Sequence, residues 1–328
     1  MGALSARVLV APDDFKGTFT APQVTAALAR GLRDGGLEAI ELPVADGGDG
    51  TMTAVITALD GEVRRARVSG PLGHPMEAEF GLLPDGATAV VEMAQASGLA
   101  LLSQDELDPW GASTRGTGEL MVAAVEAGAR KIIVAVGGSA TTDGGRGAIE
   151  AIQAAGAEVE INVACDVRVK YEDCARVFGP QKGADEEMIR RLEQRLDEWA
   201  EAAPRDPRGR EMTGAAGGLS GGLWAYLGAD LVPGAPYVLD TVRFDDRLRE
   251  CSFVITGEGK MDEQTLTGKA VFEVATRCRQ GGVACHAVVG TRALDDFQLR
   301  TVDLASVREA TTLEELEAAG RALADSAG

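Results

Sequence analysis

The sequence predicts an α/β protein of two domains. Three observations carry that reading: a length of 328 residues, an alternation of short apolar runs with helical patterns toward both ends, and a middle that interrupts this alternation with a hairpin signal. A chain of this length exceeds one average domain of roughly 100–150 residues. Strand–loop–helix alternation is what a parallel sheet needs, because each crossover must carry the chain back over a face.

Arg7–Ala11 (RVLVA) is an apolar run bounded by Pro12-Asp13-Asp14, and reads as a buried first strand. Thr20-Ala21-Pro22 supplies a hydroxyl cap and an early proline for a helix running through Leu32. Glu41–Val44 reads as the second strand; Ala45-Asp46-Gly47-Gly48-Asp49-Gly50-Thr51 follows it, then a helix over Met52–Leu59. In the middle, Met76–Leu83 and Ala87–Met93 flank the turn residues Pro84-Asp85-Gly86, so a hairpin and a mixed sheet are expected. Thr117–Ala127 is an amphipathic helix, and Lys131–Val136 (KIIVAV) is a buried strand. Ala184–Ala203 is a charged helix ended by Pro204, and the polar stretch Arg205–Arg210 resembles a linker. The alternation then resumes: strand Phe253–Thr256, helix Gly268–Arg279, strand Ala284–Val289 and helix Thr312–Ala324.

Composition narrows the class. Aromatic residues are 4% of the chain and glycines number 42, so the core is aliphatic and glycines are free for tight loops. A formal charge of -19 argues against a nucleic-acid partner, because a phosphate backbone requires a basic face. A single phosphate can still be held by backbone N–H groups, whatever the net charge. The five cysteines are scattered without a C-x-x-C pair, and there are two histidines, so core thiols in a reducing compartment are expected rather than a zinc site. Met1–Arg7 has no apolar signal core and no run is long enough to span a bilayer, which predicts a cytoplasmic protein without a membrane partner.

Five loops concentrate glycine with carboxylates, hydroxyls and lysines. In Ala11–Gly17, Lys16 suits a phosphate or a substrate carboxylate, and a neighbouring carboxylate suits Mg²⁺ or a hydroxyl proton; a surface turn is the alternative. In Asp46–Thr51, glycines free the backbone amides of Gly47 and Gly48 to face an oxyanion ahead of a helix, with a turn and an Asp cap as the other reading. Gly137–Gly145 (GGSATTDGG) follows a buried strand and reads as a phosphate nest, to which Asp143 adds a candidate base or metal ligand. No Walker A pattern and no G-x-G-x-x-G after a strand occurs. Gly214–Gly222 reads first as a helix start or close packing. Thr256–Gln264 places Glu258 and Asp262 after a strand with Lys269 beyond, a pattern suited to a metal–phosphate site or to a solvated loop. His74 reads as a surface turn residue and His286 as a packed strand residue.

Together these loops resemble the bacterial glycerate kinase family. APDDFKG at 11–17, PVADGGDGT at 43–51, ASGLALL at 96–102, STRGTGEL at 113–120 and VGGSATTDGGRG at 136–147 follow the family's order. VACDV at 163–167, VFGPQKGA at 177–184 and ITGEGKMDEQTLTGKA at 255–270 complete the set. The resemblance implies a flavodoxin/Rossmann-like parallel-sheet domain from both chain ends, residues 1–66 and 240–328. It implies an inserted mixed-sheet α/β domain over 67–239, with ligands in the cleft between. It also implies phosphorylation of D-glycerate by ATP with Mg²⁺, 2-phosphoglycerate being the favoured product, and it allows a homodimer. Lys16, Asp46, Asp143 and Asp166 then become the catalytic candidates. Gly47, Gly48, Gly137, Gly138, Ser139, Thr142, Glu258 and Lys269 become nucleotide- and phosphate-binding candidates, and Asp143 and Asp262 metal ligands. The chain departs from the family pattern at Asp14, usually Ser, and at Thr142, usually Asn. It also has a short connection, Gln153–Asn162, before VACDV and a shortened C-terminal region. These departures leave a kinase of another small hydroxy acid, or a non-catalytic binder, as alternatives.

Overall fold

The structure, a computed structural model, describes residues 7–327; the segment Met1–Ala6, read above for a targeting signal, lies outside the described residues. In chain order the strands are β1 Arg7–Val10, β2 Glu38–Glu41, β3 Glu62–Ser69, β4 Pro75–Leu82, β5 Thr88–Glu92, β6 Lys131–Ala135 and β7 Glu160–Cys165. There follow β8 Asp230–Pro233, β9 Phe253–Thr256, β10 Lys260–Met261, β11 Ala284–Val289, β12 Thr291–Arg292 and β13 Ser306–Glu309. The longer helices used below are α1 Ala21–Asp34, α2 Thr51–Leu59, α3 Arg115–Glu126, α4 Arg146–Ala155, α5 Glu186–Glu201, α6 Leu219–Leu227, α7 Ala270–Gly281 and α8 Leu313–Ala327. The chain divides into two compact units, one of Met1–Asp46, Thr53–Leu59 and Ala235–Gly328, the other of Gly47–Met52 and Asp60–Gly234.

The first unit is built on a five-stranded parallel sheet in the order β13-β11-β9-β1-β2. Its central strands β1, β9 and β11 are mostly apolar and buried because helices cover both faces. β11 divides the two cores by its pleat. Val288 joins Val8, Val10 and Ile255 beneath α1 and α8, while Ala287 and Val289 join Val271 of α7 on the other face. α1 and α8 approach closely where glycines face backbone: a Cβ on Gly31 would strike the Glu317 carbonyl, and one on Gly320 the Leu28 carbonyl. β10 and β12 form a small parallel pair beyond β9 and β11.

The second unit holds a six-stranded sheet, β3-β4-β5-β6-β7-β8, antiparallel over its first three strands and parallel over the rest. The mixed sheet and the hairpin expected around Pro84-Asp85-Gly86 are both present. Phe80, Val91, Val134 and Val163 pack against Leu120 and Met121 of α3, Ile152 of α4 and Leu223 of α6. The short connection after α4 leads straight into β7, so β6-α4-β7 is a complete crossover.

Three sequence expectations shift. The second strand occupies Glu38–Glu41 instead of Glu41–Val44. Leu42 and Val44 still donate to Val10 and Pro12 carbonyls, at 2.9 and 3.0 Å, but Pro43 between them has no N–H to continue a ladder. β3 was not anticipated, because Glu62–Ser69 (EVRRARVS) is a charged, largely exposed edge strand without apolar alternation. The linker-like stretch Arg205–Arg210 lies wholly inside the second unit. It is tied there by Gly209 N–H to the Glu172 carboxylate at 3.0 Å and by Arg205 stacked 4.4 Å from the Trp224 ring centre. Gly214–Gly222 does serve close packing and a helix start, with α6 beginning at Leu219 and a Cβ on Gly222 striking the Gly144 carbonyl.

Candidate functional site

In the first unit the strand order reverses at β1: β2 lies on one side of it and β9 on the other. Chain leaving β1 enters a helix on one face, and chain leaving β9 enters a helix on the other, which opens a crevice at the strand C-termini. A cavity of about 350 Å³ lies there, walled by the loops after β1, β2 and β9. Glycines let these loops meet: a Cβ on Gly257 would strike the Val288 carbonyl, and one on Gly259 would lie 3.0 Å from the Phe15 Cα.

Charged side chains dominate this cavity. Lys16 is exposed on its wall, as the first loop requires. Asp13 is buried, accepts the Asp14 N–H at 2.7 Å, and is pushed well above the usual carboxylate range by burial and then by the Asp46 charge. Asp14 accepts the Ala21 N–H at 2.5 Å. The residue that departs from the family pattern therefore caps the positive end of α1. Asp46 is buried, with Lys269 Nζ 3.9 Å from its Oδ2. Asp262 is paired with Lys260 at 3.1 Å; burial opposes its ionisation, but Lys260 and the Gln264 amide hold it below its ordinary range.

Glu258 is the most enclosed acid of its loop, 8% exposed. Its Oε1 accepts the Thr265 hydroxyl at 2.6 Å. Burial raises its pKa to about 7 against the opposing pull of the Thr265 hydrogen bond and the Lys269 charge; Asp262 and Asp46 add to the rise.

The second unit gathers the other predicted loops. Gly47, Gly48, Gly137 and Gly138 form a backbone-to-backbone contact: Val136 N–H donates to the Gly47 carbonyl, and a Cβ on Gly137 would lie 2.7 Å from the Gly48 Cα. Gly138 is exposed with φ +64° and Gly137 half-buried, so these two can present backbone to a ligand. Ser139 and Thr142 are buried instead. The Ser139 hydroxyl accepts Lys182 Nζ at 2.9 Å, and the Thr142 carbonyl accepts Arg195 at 2.7 Å. Asp166 is half-buried at the bend after β7.

Asp143 does not present a free carboxylate. Its Oδ2 accepts the Thr114 N–H at 2.8 Å, the Thr114 hydroxyl at 2.9 Å, the Gly147 N–H at 3.2 Å and the Ser113 hydroxyl at 3.4 Å. Its Oδ1 accepts the Gly145 N–H at 3.0 Å. Four donors crowd Oδ2 and one reaches Oδ1, which makes Asp143 a clasp between the start of α3 and the start of α4 and leaves one lone pair of Oδ1 open. Asp262, with one cation and one amide, keeps more room for a phosphate-borne ion than Asp143 does. Among the described residues no group of three or more His, Cys, Asp or Glu is arranged to hold a metal.

Sequence reasoning passed over Lys182 and Thr265. Lys182 is 1% exposed and donates to Ser139 and, at 2.5 Å, to the Thr141 carbonyl. Burial lowers its pKa to about 8. Only its place inside VFGPQKGA could have marked it.

A family model described as "Glycerate kinase family" matches residues 8–157 and 151–327 of this chain. The glycerate kinase of Bacillus subtilis is 38% identical over 88% of this chain and 86% of its own length. The glycerate 2-kinase of Escherichia coli is 39% identical over 82% of this chain and 81% of its own. A crystal structure of a candidate glycerate kinase 2 from Salmonella typhimurium LT2 superposes with a TM-score of 0.86 at 31% identity, covering 99% of this chain and 98% of that one.

Proposed function

The chain belongs to the glycerate kinase family, and from that membership we propose that it transfers the γ-phosphoryl group of ATP to D-glycerate, giving 2-phosphoglycerate. That it is a kinase enzyme follows from the family. The observation supporting the finer reading is the first-unit cavity, where Lys16 and Lys269 share a wall with Asp46 and Glu258. Phosphoryl transfer asks a protein mainly for positioning and charge neutralisation, since the in-line displacement involves little covalent chemistry of its own.

In this reading Lys16 and Lys269 bind the glycerate carboxylate and phosphate oxygens, and Asp46 holds Lys269 in place. The half-buried and exposed amides of Gly137 and Gly138 suit phosphate oxygens, and Asp143 fixes the loop that carries them. Mg²⁺ enters with ATP and ordinarily takes one or two carboxylates plus phosphate oxygens, Asp262 being the carboxylate that fits. Asp166 stays a candidate for orienting a ligand. The domain limits 1–66 with 240–328 and 67–239 belong to the same proposal. That both sets of loops serve one cleft is carried by the resemblance alone. Cytoplasmic residence is supported by five free cysteines, and no helix among the described residues is long and apolar enough to cross a membrane. A homodimer is part of the reading to be weighed by sedimentation.

An ADP-coupled assay across D-glycerate, L-glycerate and other small hydroxy acids tests the substrate, and phosphorus NMR of the product separates 2- from 3-phosphoglycerate. Turnover confined to a different hydroxy acid would sink the glycerate assignment. Nucleotide binding with no turnover of any acid would leave a binder instead of an enzyme. The second reading, another hydroxy acid, draws on Asp14, which lines the cavity where relatives of this kind usually carry a serine.

A further inference from the structure

We infer that Glu258 is the group that accepts the proton of the substrate hydroxyl, because one of its oxygens is clamped by Thr265 while the other stands unpartnered on the cavity wall. The inference rests on the kinase reading and assigns a role within that same site. Glu258 Oε2 has no hydrogen-bonding or ionic partner among the described residues.

The other acids of the cavity are engaged differently. Asp14 is bound to the α1 amide; Asp13 takes the Asp14 amide on one oxygen, and burial and then the neighbouring Asp46 charge oppose its ionisation, which disfavours it as a proton acceptor. Asp46 lies beside Lys269, and Asp262 is bound by Lys260 and the Gln264 amide. A carboxylate held well ionised by a lysine and an amide is a weak proton acceptor, so Asp262 is poorly matched to the task. Glu258 combines burial, one fixed oxygen and one available oxygen. The charged groups around it are Lys269 at the start of α7, Asp46 after β2, Asp262 on its own loop, and Asp13 and Lys16 on the loop after β1. Its carboxyl, raised to about 7, is also poised for proton exchange near neutral pH.

In the step itself the substrate hydroxyl oxygen forms a bond to the γ-phosphorus. The bond from that phosphorus to the β–γ bridging oxygen breaks, and ADP leaves with the electron pair. The hydroxyl proton passes to Glu258 and afterwards to water.

The test is a pH profile of kcat/KM for the wild type, Glu258→Gln, Thr265→Val and Thr265→Ser. Wild-type turnover of D-glycerate is measured first; an enzyme that turns over only another hydroxy acid refutes the substrate assignment and still reports on Glu258. The wild type should lose kcat/KM as pH falls through about 7. Glu258→Gln should lower kcat by roughly 10²–10⁴-fold, abolish that acid limb, and leave the KM for ATP within about threefold. Thr265→Val removes a hydrogen bond that favours the ionised carboxylate, so its limb should move to higher pH, and Thr265→Ser should return it. A Glu258→Gln enzyme that keeps a tenth of wild-type kcat overturns the inference. So does one that keeps its kcat while the KM for ATP rises. If Glu258→Gln fails to fold, the Thr265 pair decides: a limb that stays put or moves to lower pH in Thr265→Val also overturns it.

Discussion

Asp143 stands where a base or a metal ligand is expected from the glycine-rich loop, yet five donors converge on its two oxygens. Hydrogen bonds to charged groups contribute about 1.5–3 kcal/mol each, and an amide in place of the carboxylate would turn one acceptor into a donor facing donors. Asp143→Asn should therefore lower stability by roughly 3 kcal/mol in urea unfolding. A variant of unchanged stability that loses kcat a hundredfold would instead support a catalytic role for Asp143. Lys182 gives a pH signature of its own. Its folded pKa, lowered by burial to about 8, lies below the ordinary 10.5. Between those values the unfolded chain binds more protons, so the contribution of Lys182 to stability rises with pH across the window. The full change is on the order of 3 kcal/mol. Urea midpoints of the wild type minus those of Lys182→Met should climb from pH 8 to 10.5; a flat difference would mean the ammonium is not desolvated. At this scale the sequence was informative about residue type and loop, so Lys16, Asp46, Glu258 and Lys269 were all expected at a site. Partners were invisible, because Ser139 and Lys182 meet across 43 positions of chain that no local pattern connects.

Among the elements, those with strong periodicity or apolar runs were legible: β9 and β11 fall on the expected residues, and α1, α3, α5 and α8 within a few. β3 was not, since an edge strand can be charged on every side and still be held by its ladder to β4. Nor could a sequence reveal why α1 and α8 both carry a glycine mid-helix, which costs about 1 kcal/mol relative to alanine. The contact explains it: each glycine faces the other helix's backbone. Gly320→Ala should thus destabilise the protein by about 1–3 kcal/mol despite the better helix former, because overpacking outweighs propensity. A rise in thermal midpoint would show that the two helices separate freely.

At the scale of the whole molecule, the alternation at both chain ends and the hairpin-bearing middle were legible in the residues, whereas a domain made from both ends was expected only through the family resemblance. The short connection before VACDV was harder to judge, and it closes the β6-α4-β7 crossover. The five-stranded sheet of the first unit has a consequence for how the protein is made. β1 needs β9 beside it, and α1 needs α8, yet most of the chain is synthesised between them. The larger part of the second unit, Asp60 to Gly234, emerges without interruption between them. Ribosome-arrested chains that expose Gly234 should already shield this span from protease, while β1 and α1 remain cleavable until α8 emerges. Early shielding of α1 would show that it finds another partner during synthesis. Until β9 and α8 arrive, β1 and α1 have only β2 to pack against, so the order of the strands delays the closing of their shared core.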